Sequence, residues 1–170
     1  MTRGYRPTGE GQNLSASSTS AAPTIPMVDA ARVAEVMGGP NTLGGPVHST
    51  QDLSNFVAHG LPKLALKNTV RRVFANPKDA DQIMHRIVAP ATYKRRRARL
   101  KPHESERTER LARVIAAAEF VWNDREKAHR WLVKPHLELQ RMAPLDCALT
   151  ELGARRVEDL LDRIYYGLPV

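Results

Sequence analysis

From Ser49 to Gly167 the chain repeats one pattern: a residue able to cap a helix, an apolar stripe at three- and four-residue spacing, then a glycine, proline or asparagine break. That rhythm leaves little room for anything but helices. Ser49 caps a predicted helix bearing Leu53, Phe56 and Val57 and ending at Gly60. Pro62 then takes the first-turn position of a helix through Leu66, Val70, Val73 and Phe74. After Asn76-Pro77, the residues Ala80, Ile83, Met84 and Ile87 mark one face of a further helix, which stops before Pro90. A short basic helix is predicted over 91–100, and the longest helix, about 104 to 122, carries Leu111, Val114, Ile115, Ala118, Val121 and Trp122. Asn123-Asp124 ends it and caps the next, which holds Ala128, Trp131 and Leu132. Beyond Pro135 and an irregular stretch, Pro144 opens a turn of helix with Leu145, Cys147 and Leu149. Thr150 caps a last helix with Ala154, Val157, Leu160, Leu161 and Ile164.

Composition points the same way. Aromatic residues make up 5% of the 170 residues and glycines number 10, which disfavours a strand-dense barrel or sandwich. The expected fold class is all-α. The single cysteine, Cys147, excludes an internal disulfide and suits a reducing compartment, so a cytoplasmic location is expected. The longest apolar stretch, 114–122, contains Glu119 and falls well short of the roughly 20 residues that span a bilayer, so no membrane partner is expected.

The first 28 residues, rich in serine, proline and glycine with few large aliphatics, are expected to be a disordered tail. A short helix follows from Asp29 through Met37, closed by Gly38 and Gly39, and a loop runs on to Val47. Charge is unevenly spread: of the net +8, residues 92–113 hold +6, while 138–170 sum to −2. One part of the chain suits an anionic polymer and the other does not.

The basic segment lies where a reader of nucleic acid would. A helix over 79–87, a short turn and a cationic helix over 91–100 have the order of a helix-turn-helix unit. On an ideal helix Tyr93, Arg96, Arg97 and Leu100 share one side, with Tyr93 and Leu100 as core anchors. The candidate DNA-binding set is Thr92, Lys94, Arg95, Arg96 and Arg99. Such crowding of like charge opposes helix formation, so an anionic partner or the nearby Glu104, Glu106 and Glu109 must offset it. A solvated face neutralised by those glutamates is the competing explanation.

No catalytic constellation emerges. The phosphate-binding, dinucleotide-binding, zincin and hydrolase-elbow motifs are all missing, and the six histidines do not recur at ligand spacing with carboxylates. Neither enzymatic activity, nor a cofactor, nor a metal is expected.

Several motifs occur together in one order: Gly60-Leu61-Pro62, the stretch 92–96, Glu104-Ser105 with Arg107, Arg110 and Leu111, Ala128 with Trp131-Leu132, Pro144-Leu145-Asp146, and the run from Gly153 to Gly167. In this the chain resembles the Xre/MbcA/ParS antitoxins of RES-Xre toxin-antitoxin systems, over about residues 30–170. One departure is Leu139-Gln140-Arg141, where the family often has a small glycine-bearing loop. The resemblance implies an Xre-like helix-turn-helix portion over 29–103 and a helical toxin-binding domain over 104–170. It further implies a RES-domain toxin acting on NAD as partner, operator DNA as a second partner, and a homodimer or toxin-antitoxin hetero-oligomer. By the same resemblance Val157, Leu161, Ile164, Tyr165, Tyr166 and Gly167 lie at or near the toxin's NAD pocket, with Trp131 a further contact. Glu158, Asp159, Asp162 or the carboxylate of Val170 would then stand in for the cofactor's phosphates. The competing explanation places Val157, Leu160, Leu161 and Ile164 in the core. A stand-alone regulator whose C-terminal part only dimerises, or an adaptor for another partner, are the alternative functions.

Overall fold

The computed structural model describes Met1 and residues 28–170; the predicted tail otherwise lies outside the described residues. Among the described residues ten α-helices follow one another: α1 (Ala30–Val36), α2 (Gly39–Leu43), α3 (Thr50–Ala58), α4 (Lys63–Val73), α5 (Pro77–Ile87), α6 (Pro90–Arg95), α7 (Pro102–Trp122), α8 (Arg125–Val133), α9 (Pro144–Cys147) and α10 (Glu151–Tyr165). A 3-10 turn, Leu137–Leu139, lies between α8 and α9. Among the described residues the only β pairing is an isolated antiparallel bridge between Pro62 and Arg99.

Most helices begin where local chemistry dictates. Asp29, Asn76, Asp124 and Thr150 each accept a hydrogen bond from a backbone N–H of the turn they start. Ser49 and Asp52 form a full capping box on α3. Three features depart from expectation. The stretch after Gly38 contains α2, because Pro40 supplies a first-turn residue and Gly44, in the left-handed region, closes it. Pro62 is the residue before α4, not its first turn. The basic helix stops at Arg95, half its predicted length.

The spine is α7, a 21-residue helix on which α1, α3, α4 and α5 pack from the N-terminal side of the sequence and α8, α9 and α10 from the other. Leu111, Val114, Ile115 and Ala118 of α7 are buried at the centre of one continuous core that also takes Leu43, Leu61, Leu66, Leu132 and Leu161. Burying such side chains contributes about 2 kcal/mol each. No linker separates the two ends of the chain, so the helices of both share one hydrophobic interior.

An ionic node crosses that shared interior. Glu119 of α7 accepts two hydrogen bonds from Arg72 of α4, at 2.8 and 2.7 Å, and lies 2.9 Å from Nε2 of His129 on α8. Burial pushes this carboxyl up, but the bonds to Arg72 and His129 outweigh it and hold it below the ordinary carboxylate range. Because the folded value is lowered, the stabilisation is present above the unfolded value of 4.5 and is lost as pH falls through the folded one. Glu119→Ala leaves Arg72 half-buried without its partner and should cost about 2–3 kcal/mol. In urea titrations the gap between variant and wild type should narrow in acid; a gap constant with pH would contradict the role given to Glu119.

Candidate functional site

Two surfaces hold the residues that the sequence singles out, and the basic one differs in geometry from a long recognition helix. Tyr93 of α6 anchors inward: its hydroxyl donates to the Lys63 carbonyl at 3.2 Å, and the Lys63 ammonium lies 4.5 Å from its ring centroid. After Arg95 the chain leaves the helix, bends at residues 97–98 and pairs at Arg99 with Pro62. The Lys63 N–H donates to the Ala98 carbonyl at 2.9 Å and the Leu100 N–H to the Leu61 carbonyl at 2.8 Å, so the backbone is satisfied by a neighbouring segment and not by helix. Gly60 makes room for this pairing, since a β-carbon there would collide with the Leu100 carbonyl oxygen, and its φ of 86° is left-handed.

Leaving the helix at Arg95 breaks the helical period, and the arginines change sides. Arg96 turns inward and grips Glu104 with two bonds, 3.3 and 2.8 Å, while Leu100 is buried. Arg97 and Arg99 share the outer side, although the Arg99 guanidinium also donates to the Gly60 carbonyl at 2.7 Å. Glu104, only 4% exposed, also accepts the Lys101 N–H at 2.7 Å. Burial raises its carboxyl, yet Arg96 and the Lys101 amide outweigh that and leave it lowered. Of the predicted DNA-binding residues, Lys94, Arg95 and Arg99 are exposed, Thr92 is half-buried, and Arg96 is occupied by an internal ion pair. Arg97, assigned by helical spacing to the core side, is exposed. The like-charge problem is resolved by ending the helix and neutralising one arginine.

The second surface is the end of α10. Its inner face, Ala154, Val157, Leu160 and Leu161, is buried against the spine, with Ile164 packed at the edge. Val157 and Leu161 are therefore core residues of this chain and not contacts offered to a partner, a correction forced by the stripe itself: an apolar face beside α7 closes on α7 first. Glu158 is also drawn inward, paired with Arg113, which is shared with Glu109. Burial holds the Glu158 carboxyl above its ordinary value against the pull of Arg113, and its pairing with Arg113 leaves it occupied within this chain. Asp162 is half-buried and engaged within the chain, while Asp159 is exposed.

What remains outward is aromatic and aliphatic. Tyr165 and Tyr166 are 43% and 45% exposed, edge to face at 5.1 Å, and Tyr165 also stacks on Phe120 of α7 at 5.5 Å. Gly167, with φ of 65°, turns the chain: its N–H donates to the Ile164 carbonyl and the Leu168 N–H to the Arg163 carbonyl at 2.8 Å, the pairing of a Schellman motif. The Arg163 guanidinium then donates to the Pro169 carbonyl. Leu168 and Val170 stay half exposed on this folded-back segment. Trp131 is half-buried between Trp122 and His136, each centroid 6.3 Å away.

Other chemistry is sparse. Among the described residues no group of three or more His, Cys, Asp or Glu side chains could hold a metal, and no helix is long and apolar enough to cross a membrane. Burial pushes the Cys147 thiol up.

Comparison with known proteins adds the family. Residues 52–113 match the family model of the antitoxin Xre-like helix-turn-helix domain, and residues 117–167 that of the antitoxin Xre/MbcA/ParS C-terminal toxin-binding domain. An "Antitoxin Xre" of Pseudomonas putida is 32% identical over 121 residues, which cover 69% of this chain and 70% of that protein. The chain belongs to the Xre antitoxin family. A second "Antitoxin Xre", of Yersinia enterocolitica, is 38% identical over 71 residues, 41% of this chain and 48% of that one. In this Xre-family antitoxin the two matches meet inside α7, between residues 113 and 117, so one helix serves both the helix-turn-helix part and the toxin-binding part. All-α architecture and the order of the two parts follow the sequence reading.

Proposed function

We propose that this antitoxin neutralises a RES-domain toxin, one that degrades NAD or transfers its ADP-ribose, by seating the end of α10 in the toxin's NAD pocket. The carrying observation is the prefolded, outward end of α10 and the turn that follows it: Tyr165, Tyr166, Leu168 and Val170 are exposed, while the inner face of the helix is fixed in the core. Rigid tyrosines lose little entropy on docking, and the Gly167 turn and Arg163 bond set the direction of the segment beforehand. Residues 104–170 would form this toxin-binding domain, with Trp131 a contact at its margin. Co-expression tests it: cells carrying the toxin should keep their NAD and grow only when this chain is present. Unchanged NAD depletion would reject the reading.

Residues 29–103 would form the DNA-binding portion that represses the operon in the cytoplasm, as a dimer or within a toxin-antitoxin complex, since helix-turn-helix readers match half-sites about one helical turn apart. The DNA-facing set is Thr92, Lys94, Arg95, Arg97 and Arg99, with Arg97 replacing Arg96 because Glu104 occupies the latter. Arg95→Ala and Arg97→Ala should each reduce the slope of log K against log salt by about 0.9, the value of one phosphate contact. Arg96→Ala should leave the slope intact and instead lower stability by about 2 kcal/mol, as Glu104 loses its cation. Gel shifts at several salt concentrations, beside urea melts, separate the two effects.

A further inference from the structure

The toxin-binding part carries apolar exposure that the end of α10 does not explain. Leu137 and Leu152 are 75% and 77% exposed, more than any other large hydrophobic residue among the described ones except Met1, and Met142 stands beside them in sequence terms at the far end of one loop. That loop, residues 136–142, is closed by the His136 N–H to the Met142 carbonyl at 3.1 Å and the Arg141 N–H to the His136 carbonyl at 2.9 Å. Leu139 plugs it into the core, while Gln140 and Arg141 hold consecutive left-handed φ values of 55° and 63°. Non-glycine residues adopt that conformation only where surrounding contacts enforce it. The loop is therefore built to hold Leu137 and Met142 outward.

Two arginines of α10 fasten it. Arg156 donates to the Glu138 carbonyl at 3.2 Å, and Arg163 reaches the Glu138 carboxylate at 3.4 Å. Leu152 lies one helical turn before Arg156, on the same side of α10. Arg163 also binds the Pro169 carbonyl, so one side chain ties the loop to the segment proposed to enter the toxin pocket. The exposed rim is mixed in charge: Lys134 and Arg141 stand with Glu138, and Arg155 pairs with Glu151 at 3.3 Å.

Resting on the toxin-binding reading above, we propose that Leu137, Met142 and Leu152 form a second contact with the same toxin, outside its pocket, against an apolar strip. Residues 117–167, which contain all three, match a toxin-binding domain, and the surface continues through Arg163 into the occluding segment. The end of α10 blocks the cleft; this second contact sets how tightly the complex holds.

The test uses the full chain and its purified toxin. Leu137→Asp/Leu152→Asp should melt like wild type, since both positions are exposed and an acidic residue suits the first turn of α10. It should raise the Kd of the complex at least tenfold, yet still suppress NAD consumption fully once antitoxin is saturating. An unchanged Kd overturns the second contact alone, and so does an unchanged Kd accompanied by lost self-association, which would make the patch an interface between copies of this chain. A wild-type chain that does not bind the toxin overturns the function proposed above and this surface with it.

Discussion

Deleting residues 168–170 is expected to leave a folded antitoxin that no longer silences its toxin. Leu168 and Val170 are half exposed and sit outside the buried core, so their removal takes little apolar area out of the interior. What is lost within the chain is the Leu168 N–H bond to the Arg163 carbonyl and the Arg163 bond to Pro169, both at the surface, for a total of about 1 kcal/mol. A thermal melt should shift by a few degrees. On the proposed reading the toxin's NAD consumption, measured with the truncated antitoxin at saturation, should return nearly to that of free toxin, because the outermost part of the proposed occluding segment is gone and Tyr165 and Tyr166 alone do not reach as far. Gly167→Ala offers a graded version. No atom lies within 4 Å of the added β-carbon, so its cost is confined to the left-handed backbone, about 1 kcal/mol, and its effect on inhibition reports how much the direction of the segment matters. Full inhibition by the truncated chain would place the occluding atoms elsewhere.

Gly153→Ala is expected to destabilise the protein strongly for a single added methyl. Alanine normally stabilises a helix relative to glycine by about 1 kcal/mol. Here the sign reverses, because the β-carbon would overlap the Cys147 carbonyl oxygen and crowd the Thr150 hydroxyl, whose oxygen caps Gly153 itself at 3.1 Å. The obstruction is backbone, which cannot rotate aside. Either α10 lifts from α9 or the cap breaks, at a cost of about 3 kcal/mol. Urea midpoints would show it directly. On the proposed reading toxin affinity should fall as well, since α10 carries Leu152 and the end proposed to enter the toxin. A variant as stable as wild type would mean that the junction between α9 and α10 is looser than its geometry.

Helix starts were legible in the sequence because a cap is a local event. Asp29, Ser49, Asn76, Asp124 and Thr150 each bond a backbone amide two or three residues on, within reach of any reading along the chain. The motifs from Glu104 to Gly167 likewise pointed to the family before any coordinates did. The candidate sites were legible only as segments. Helical spacing put Arg96 and Arg97 together on the core side and extended the basic helix to Leu100, whereas the pairing of 98–100 with 61–63 draws the chain out of the helix, and Arg97 lies outside. No residue near Ala98 announces a partner more than thirty positions away.

The same division runs through the C-terminal part. Sequence by itself determined that α10 has an apolar stripe and an aromatic end, since both follow from residue order. It could not determine which partner the stripe meets, and α7, joined in the same chain and therefore always at hand, claims Val157 and Leu161. Nor could it show that Arg113 would draw Glu158 inward, that Glu119 would gather Arg72 and His129, or that Arg163 would join Glu138 to Pro169. Caps and stripes are fixed by neighbours within one helical turn. The side each charge faces depends on contacts between helices far apart in the chain, and only the packed molecule brings those together.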